Sequence, residues 1–443
     1  MIEVGLAPDA IARYLRATRG VDSEYLSRDV TALETFYVDV LESLYNSGLN
    51  IHHIKLYLVD SVRSDIETLH HNGCCQIIFD QGMMDIFDML NHVFLTEFPA
   101  TDPDSLPPPQ FWAHALFANR FLARGQRVEA SIQAAIANNY SSVNERPDSP
   151  YLQHGDLWVT VQSGYAIAHE IAHCHLDDES TTLARTIAND FENKMLPLVR
   201  RHDEENPVDL TPPHLHLARN VNADLARKFN LDLSTVLEHF GEKDWEMIPQ
   251  RRARTLEEQL DVLLHDDSNV GEEILCDYWA MLFTSRIMGS SIIHPDEALV
   301  ICFAAFLFQS AIRYFEAQAA SFSDDYLSLE TMLDETDEVN IRTQFFMFSA
   351  QIIGDMHILH DYDLGLISGD DLAVTGRQRR ELLAENLNSL NKAYYKIVEP
   401  IVAQGIAGQT FLMAHAIPAD DVIRKIASSS TLADVVRDCV KNY

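Results

Sequence analysis

The chain has 443 residues, with 33 Lys and Arg against 67 Asp and Glu, and a formal charge of −34. That length buries a large core and accommodates more than one structural unit. An acidic excess of this size, with a pI near 4.7, argues against nucleic acid and anionic membrane surfaces as partners, because phosphate binding rests on clustered cations.

Residues 8–48 read as helices, with Leu33, Phe36, Tyr37, Val40, Leu41 and Leu44 at helical spacing. From Ile51 to Val59 the pattern becomes strand-like. Cys74 to Phe79 is a second such run after the turn dipeptide Asn72-Gly73. His52, His53, His70 and His71 form two doublets. Neighbours on a strand face opposite ways, so each doublet reads as a solvated or mixed position and not a metal site. Met84 to Phe98 returns to helix, Pro99–Pro109 and Asn144–Gly155 are loops, and Trp112–Asn139 between them is a helix pair.

A helix over about 157–176 follows, carrying Tyr165-Ala166-Ile167-Ala168-His169-Glu170-Ile171-Ala172-His173 and hence the pattern H-E-x-x-H. His169 and His173 project from one helix face a turn apart. Two imidazoles so placed can share a tetrahedral Zn²⁺. Glu170 points about 100° further round, where it is poorly placed as a ligand and well placed as a general base toward a water on the metal. The flanks are apolar or small, so the helix is buried, and buried histidines and glutamates need partners.

Helical patterns at Thr181–Arg201, Leu217–Phe229 and Leu256–Leu264, broken by Pro207, Pro212 and Pro213, read as an insertion. It either covers a cleft, where it selects substrates or blocks access, or is merely structural. His214 and His216 within it read as structural. Next comes Gly271-Glu272-Glu273-Ile274-Leu275-Cys276-Asp277, in which Glu273 and Asp277 stand at i and i+4. Glu273 can supply a third metal ligand, and Asp277 can accept the N–H of a ligating histidine and fix its tautomer. Glu272 competes for the ligand role, but it lies five residues before Asp277 and off the shared face. The helix of the third ligand spans about 270–288. Ala298–Phe315 is a very apolar core helix, Ser321–Asp337 is polar and acidic, and helices are expected at Val339–Leu359, Gly376–Gln404 and from about Ala419.

H-E-x-x-H on one helix followed by E-x-x-x-D on another resembles the gluzincin metallopeptidases, the superfamily of thermolysin-like and prenyl-protease-like zinc peptidases. The resemblance covers two short motifs and their order. The gap of 100 residues from His173 to Glu273 is longer than in thermolysin-like enzymes. It implies zinc held by His169, His173 and Glu273, with Glu170 as base and Asp277 orienting His169. The fold expected is mainly α with a small β-sheet (α+β). A zincin-like core occupies 1–320, including a helical insertion at about 180–268, and a C-terminal helical region occupies 321–443. Such enzymes supply a further His, Tyr or Arg from beyond the third ligand to the oxyanion. Here His294, Arg342, His357 and His360 are the candidates, and His294-Pro295 resembles a His-Pro pair of prenyl-protease-like enzymes. In gluzincin-like folds an edge strand pairs with the substrate backbone. Ile77–Asp80 or Leu56–Leu58 can fill that place, and an ordinary sheet packed on helices fits equally.

Six cysteines at 74, 75, 174, 276, 302 and 439 show no C-x-x-C pair and no disulfide-style spacing, which points to reduced thiols and a cytoplasmic protein. Cys174 and Cys276 read as small buried side chains off the ligand faces. The N-terminus lacks a signal-peptide pattern, and the longest apolar stretch, Ala298 to Phe308, is too short to span a bilayer. The resulting expectation is a cytosolic zinc-dependent endopeptidase of narrow specificity, acting on a protein or peptide substrate. The alternative is a regulatory or scaffold protein with a structural or degenerate zinc site, by analogy in stress or phage defence.

Overall fold

The computed structural model describes residues 9–18, 31–46, 54–61, 65–71, 74–94, 155–176, 182–205, 255–258, 269–291, 293–321 and 329–414, with isolated helical positions between 115 and 134. In chain order these form α1 (Asp9–Thr18), α2 (Thr31–Asn46), β1 (Ile54–Val59), β2 (Ile66–His71), β3 (Cys74–Asp80) and α3 (Gly82–Phe94). Then come α4 (Gly155–Leu176), α5 (Thr182–Glu205), α6 (Asn269–Ser291), α7 (Pro295–Ser321), α8 (Leu329–Asp363) and α9 (Leu372–Ala414). The described chain is therefore mainly helical with one small sheet. The helices expected at Leu217–Phe229 and from Ala419, and His52, His53, His214 and His216, lie outside the described residues.

The sheet has the order β1-β3-β2, with β1 parallel and β2 antiparallel to β3. Both faces are covered, and the strand period of two sorts the side chains. Ile54, Leu56, Leu58, Cys75, Ile77 and Phe79 enter the main core, whereas Tyr57, Val59 and Ile78 pack with Ile11 and Leu15 of α1. This explains why β1 and β3 read as continuous apolar runs. It also corrects one expectation: Ile77–Asp80 belongs to the middle strand, paired on both sides, and has no edge to offer a substrate. The buried Asp80 ties the crossover down, accepting hydrogen bonds from the Ser61 backbone N–H at 3.1 Å, the Ser61 hydroxyl and the Gly82 N–H at 3.0 Å.

The helix α4 lies against the sheet, α2, α3 and α6. A Cβ on Gly164 would come within 2.6 Å of Met288 Cε and 3.3 Å of Phe36 Cε1, so α4 packs closely on α6 and α2 here and a side chain would require the Met288 tip to move. Asn91 and Gln162, both buried, exchange two hydrogen bonds of 2.9 Å between α3 and α4. Cys75 of β3 and Cys174 of α4 are joined in a disulfide with a Cα–Cα distance of 5.8 Å. The reading of all cysteines as reduced therefore fails for this pair. Its partners are 99 residues apart, and it is the packing of β3 on α4 that brings them together.

The segment Pro295–Arg313 of α7 is long and apolar enough by length and composition to cross a bilayer, more than its uninterrupted apolar run indicated, and 78% of it is buried inside the protein. Residues of the expected C-terminal helical region share this core: Val339, Phe345, Phe346, Leu387 and Tyr394 of α8 and α9 belong to the same cluster as α4, α6 and α7. Backbone helix reaches back to Leu329, into a stretch whose lack of an apolar repeat had given no helical signal. At its other end Gly365, with φ of +72°, reverses the chain, and the Leu366 N–H bonds back to Asp361 O at 2.9 Å. After α5, the Asp203 carboxylate accepts the N–H groups of Leu256 and Glu257 at 3.1 and 3.0 Å, and Arg200 grips Glu257 at 2.9 Å.

At the start of α7, Asp296 receives a two-pronged contact from Arg379 at 2.7 and 2.9 Å, and Arg379 also holds Asp361 at 2.6 Å. Burial opposes charge on Asp296, but His357 and Arg379 outweigh it and bring the carboxyl down to about 2. A carboxyl depressed on folding contributes stability that is complete above its unfolded value and is lost as pH falls through the folded one. Asp296→Asn is therefore expected to cost about 2 kcal/mol at neutral pH. That difference from wild type should shrink between about pH 4 and pH 2, as checked by urea unfolding across that window.

Candidate metal centre

Tyr165, His169 and His173 stand at i, i+4 and i+8 of α4, one stripe of a buried helix turned toward α6. From α6, Glu273 and Asp277 meet them. His169 Nε2 and His173 Nε2 are 3.2 Å apart. Glu273 Oε2 lies 3.3 Å from the first, and Glu273 Oε1 lies 3.5 Å from the second. The outer nitrogens have partners of their own. His169 Nδ1 is 3.1 Å from Asp277 Oδ1, within reach although out of line for a straight hydrogen bond, and His173 Nδ1 is 2.6 Å from Glu272 Oε1. With Nδ1–H turned toward those carboxylates, each ring would present a lone pair at Nε2.

Two lone pairs and a carboxylate thus converge on one small space, and each of these three residues brings a donor atom within 4.8 Å of the other two. Glu273 Oε2 is also buried without an aligned hydrogen-bond donor. Mutually facing acceptors of this kind are costly by themselves and are satisfied by a cation, so His169, His173 and Glu273 fit a metal ion. No family model, curated relative or solved structure matches the chain.

Arg342 of α8 enters this cluster almost fully buried. Its Nε and Nη2 hold Asp277 at 3.0 and 3.1 Å, its Nη1 lies 2.8 Å from Glu273 Oε2 and 3.2 Å from Glu338, and its guanidinium sits 5.4 Å from the Phe306 ring centroid. Tyr165 donates to Asp277 Oδ1 at 2.7 Å. Burial would keep Asp277 neutral, but Arg342 first and His169 next hold its carboxyl below the usual range. Burial likewise opposes charge on Glu273, but the adjoining His169 and His173 rings and the charge of Arg342 drive its carboxyl far below that range. Burial disfavours charge on His169, yet Asp277 and Glu273 raise its pKa; burial is likewise outweighed at His173, by Cys276 and then Glu272 and Glu273. Burial pushes the Cys276 thiol up to about 12.

Glu170, half-buried, accepts a short hydrogen bond from the hydroxyl of Thr68 on β2. Of the four candidate oxyanion donors only Arg342 lies at the centre, and there its N–H groups are spent on carboxylates. His294 and His357 lie instead about Asp296, at 3.8 and 3.9 Å. His357 Nε2 is also 3.4 Å from Ser285 Oγ, which is eight residues beyond Asp277 and so about 12 Å along α6. His360 is exposed near the end of α8.

Sequence reasoning missed Thr68, whose strand shows no clean alternation, and the role of Glu272 as partner of His173. Tyr165 had a signal, its place four residues before His169. Cys276, read as lying off the site, stands beside His173. Asp277→Asn is expected to lower metal affinity by about 10–100-fold, because the amide holds the His169 tautomer less well. A metal-buffer titration checks this, with far-ultraviolet circular dichroism to show that the fold is kept.

Proposed function

We propose that this chain is a zinc-dependent endopeptidase built on a zincin-like core. The observation that carries the reading is the set of separations 3.2, 3.3 and 3.5 Å among His169, His173 and Glu273. Zinc takes nitrogen and oxygen ligands at about 2.0–2.1 Å in a tetrahedron, whose edges are then about 3.3–3.4 Å; the Nε2–Nε2 separation fits one such edge, and the Glu273 carboxylate turns one oxygen to each ring. Three protein ligands also leave a fourth position for chemistry, as in catalytic sites. When bound, zinc would supply Lewis acidity toward a carbonyl oxygen and lower the pKa of a nearby water.

The chain's own residues account for the rest. Glu170 takes a proton from the attacking water and passes it to the leaving amine. The Thr68 hydroxyl holds Glu170 Oε2, which leaves Oε1 for that proton. Because β2 is an edge strand, its outer N–H and C=O groups suit an extended peptide added beside it, with Thr68 linking that strand to the base. Arg313, exposed on α7 with Nη2 3.7 Å from Glu273 Oε2, is our candidate for the donor that meets the developing oxyanion.

Purified protein should hold about one zinc ion per chain. Glu273→Gln should lose it, and a chelator should abolish cleavage of lysate proteins until zinc is restored. Zinc retained without cleavage across a broad panel of substrates would favour the scaffold reading, and a wild-type chain that binds no metal would sink the peptidase.

A further inference from the structure

His173 has a second face. Its Nε2 turns toward His169 and Glu273, while its Nδ1 lies against Glu272, and Cys276 stands beside the same ring. The ring, the Glu272 carboxylate and the Cys276 thiol each bring a donor atom within 4.8 Å of the other two. The arrangement follows from helix geometry. Glu272 and Cys276 are one turn apart, as are Glu273 and Asp277, so α6 presents two adjacent ladders. One ladder flanks His169 and the other flanks His173. The second is reachable from solvent: the His173 and Glu272 side chains are 19% and 34% exposed, with the reduced thiol buried behind them.

We propose that His173 Nδ1, Glu272 and Cys276 form a second cation site, suited to thiophilic ions such as Cd²⁺ or a supernumerary Zn²⁺, whose occupation excludes metal from the first. The ligand set supports the selectivity, since a thiolate with an imidazole favours soft and borderline ions over Mg²⁺ or Ca²⁺. The exclusion follows from the ring. A neutral imidazole has a single lone pair. A cation on Nδ1 leaves the proton on Nε2, where it points at His169 Nε2 and Glu273 Oε1, 3.2 and 3.5 Å away. A hydrogen-bond donor then stands where a ligand is required. Binding releases the thiol proton of Cys276 to solvent and exchanges the ring proton between its nitrogens through water, and nothing is oxidised. Loss of peptidase activity on filling this site rests on the zinc-peptidase reading, whereas binding at Cys276 does not.

The test is titration of the zinc-loaded full chain with Cd²⁺, following thiolate-to-cadmium absorption in the ultraviolet and zinc release to a chromogenic indicator. In the wild type the absorption should rise together with zinc release. Cys276→Ser should abolish the absorption and raise the cadmium needed for zinc release by about tenfold or more. Glu272→Gln, at a more exposed position, should shift the midpoint by about tenfold and guards against misfolding of the buried serine variant. No absorption in the wild type, or absorption that survives Cys276→Ser, overturns the site. Absorption that develops while zinc stays bound overturns the exclusion. A chain that takes up no zinc yet shows Cys276-dependent absorption keeps the second site and sinks the peptidase reading.

Discussion

Glu170→Gln is expected to keep its zinc and to lose about 10²–10⁴-fold in kcat, with KM little changed. That loss corresponds to about 3–5 kcal/mol of transition-state stabilisation. The substitution is nearly isosteric, and the amide oxygen can still accept the hydrogen bond that Thr68 gives to the carboxylate. What disappears is the basic oxygen. Glu170 is also not one of the three residues whose donor atoms converge, so metal content should match wild type. Single-turnover cleavage of a peptide found by lysate profiling, together with metal analysis of the same preparation, checks both halves. Activity within tenfold of wild type would remove Glu170 from the role of base.

Arg342→Met is expected to destabilise the metal-free protein by about 3–5 kcal/mol, the usual result of removing one partner from a buried ionic network. Methionine replaces much of the aliphatic stem, but nothing replaces the guanidinium that contacts Asp277, Glu273 and Glu338. Asp277 would then lose its guanidinium partner, and Glu273 would keep only the more distant Arg313, at 3.7 Å. A bound dication takes over part of that neutralisation, so the deficit should be smaller in zinc than in chelator. Lysine should rescue poorly, because a point charge cannot make the forked contact to Asp277. Denaturant unfolding with and without zinc measures the effect. A deficit under about 1 kcal/mol, or one equal in both conditions, would contradict this account of the cluster.

Much of this centre was legible in the sequence because its parts are local. His169 and His173 lie a turn apart in an apolar helix, and Glu273 and Asp277 repeat that spacing, so periodicity alone puts each pair on one face. What brings the two helices together is long-range, and periodicity carries no trace of it. Arg342 reaches Asp277 across 65 residues and Thr68 reaches Glu170 across 102. β2 escaped notice for a different reason. Ile66-Glu67-Thr68-Leu69-His70-His71 mixes polar and apolar residues, as an edge strand with one solvated side can, and offers no clear period of two. Cys276 was set aside because it falls off the face of Glu273. In the structure Glu273 meets both histidines, and Glu272 and Cys276 on the neighbouring face of α6 stand beside His173.

The contacts of Asp203 and Arg200 with Leu256 and Glu257 bring the beginning and end of a long excursion to one point. The 49 residues 206–254 separate these stapled positions in sequence, so residues far apart along the chain are held together there by their own contacts. Replacing residues 206–254 with a linker of about six Gly and Ser residues is expected to leave metal content unchanged, as measured by metal analysis, because the staple itself fixes how far apart its two ends stand.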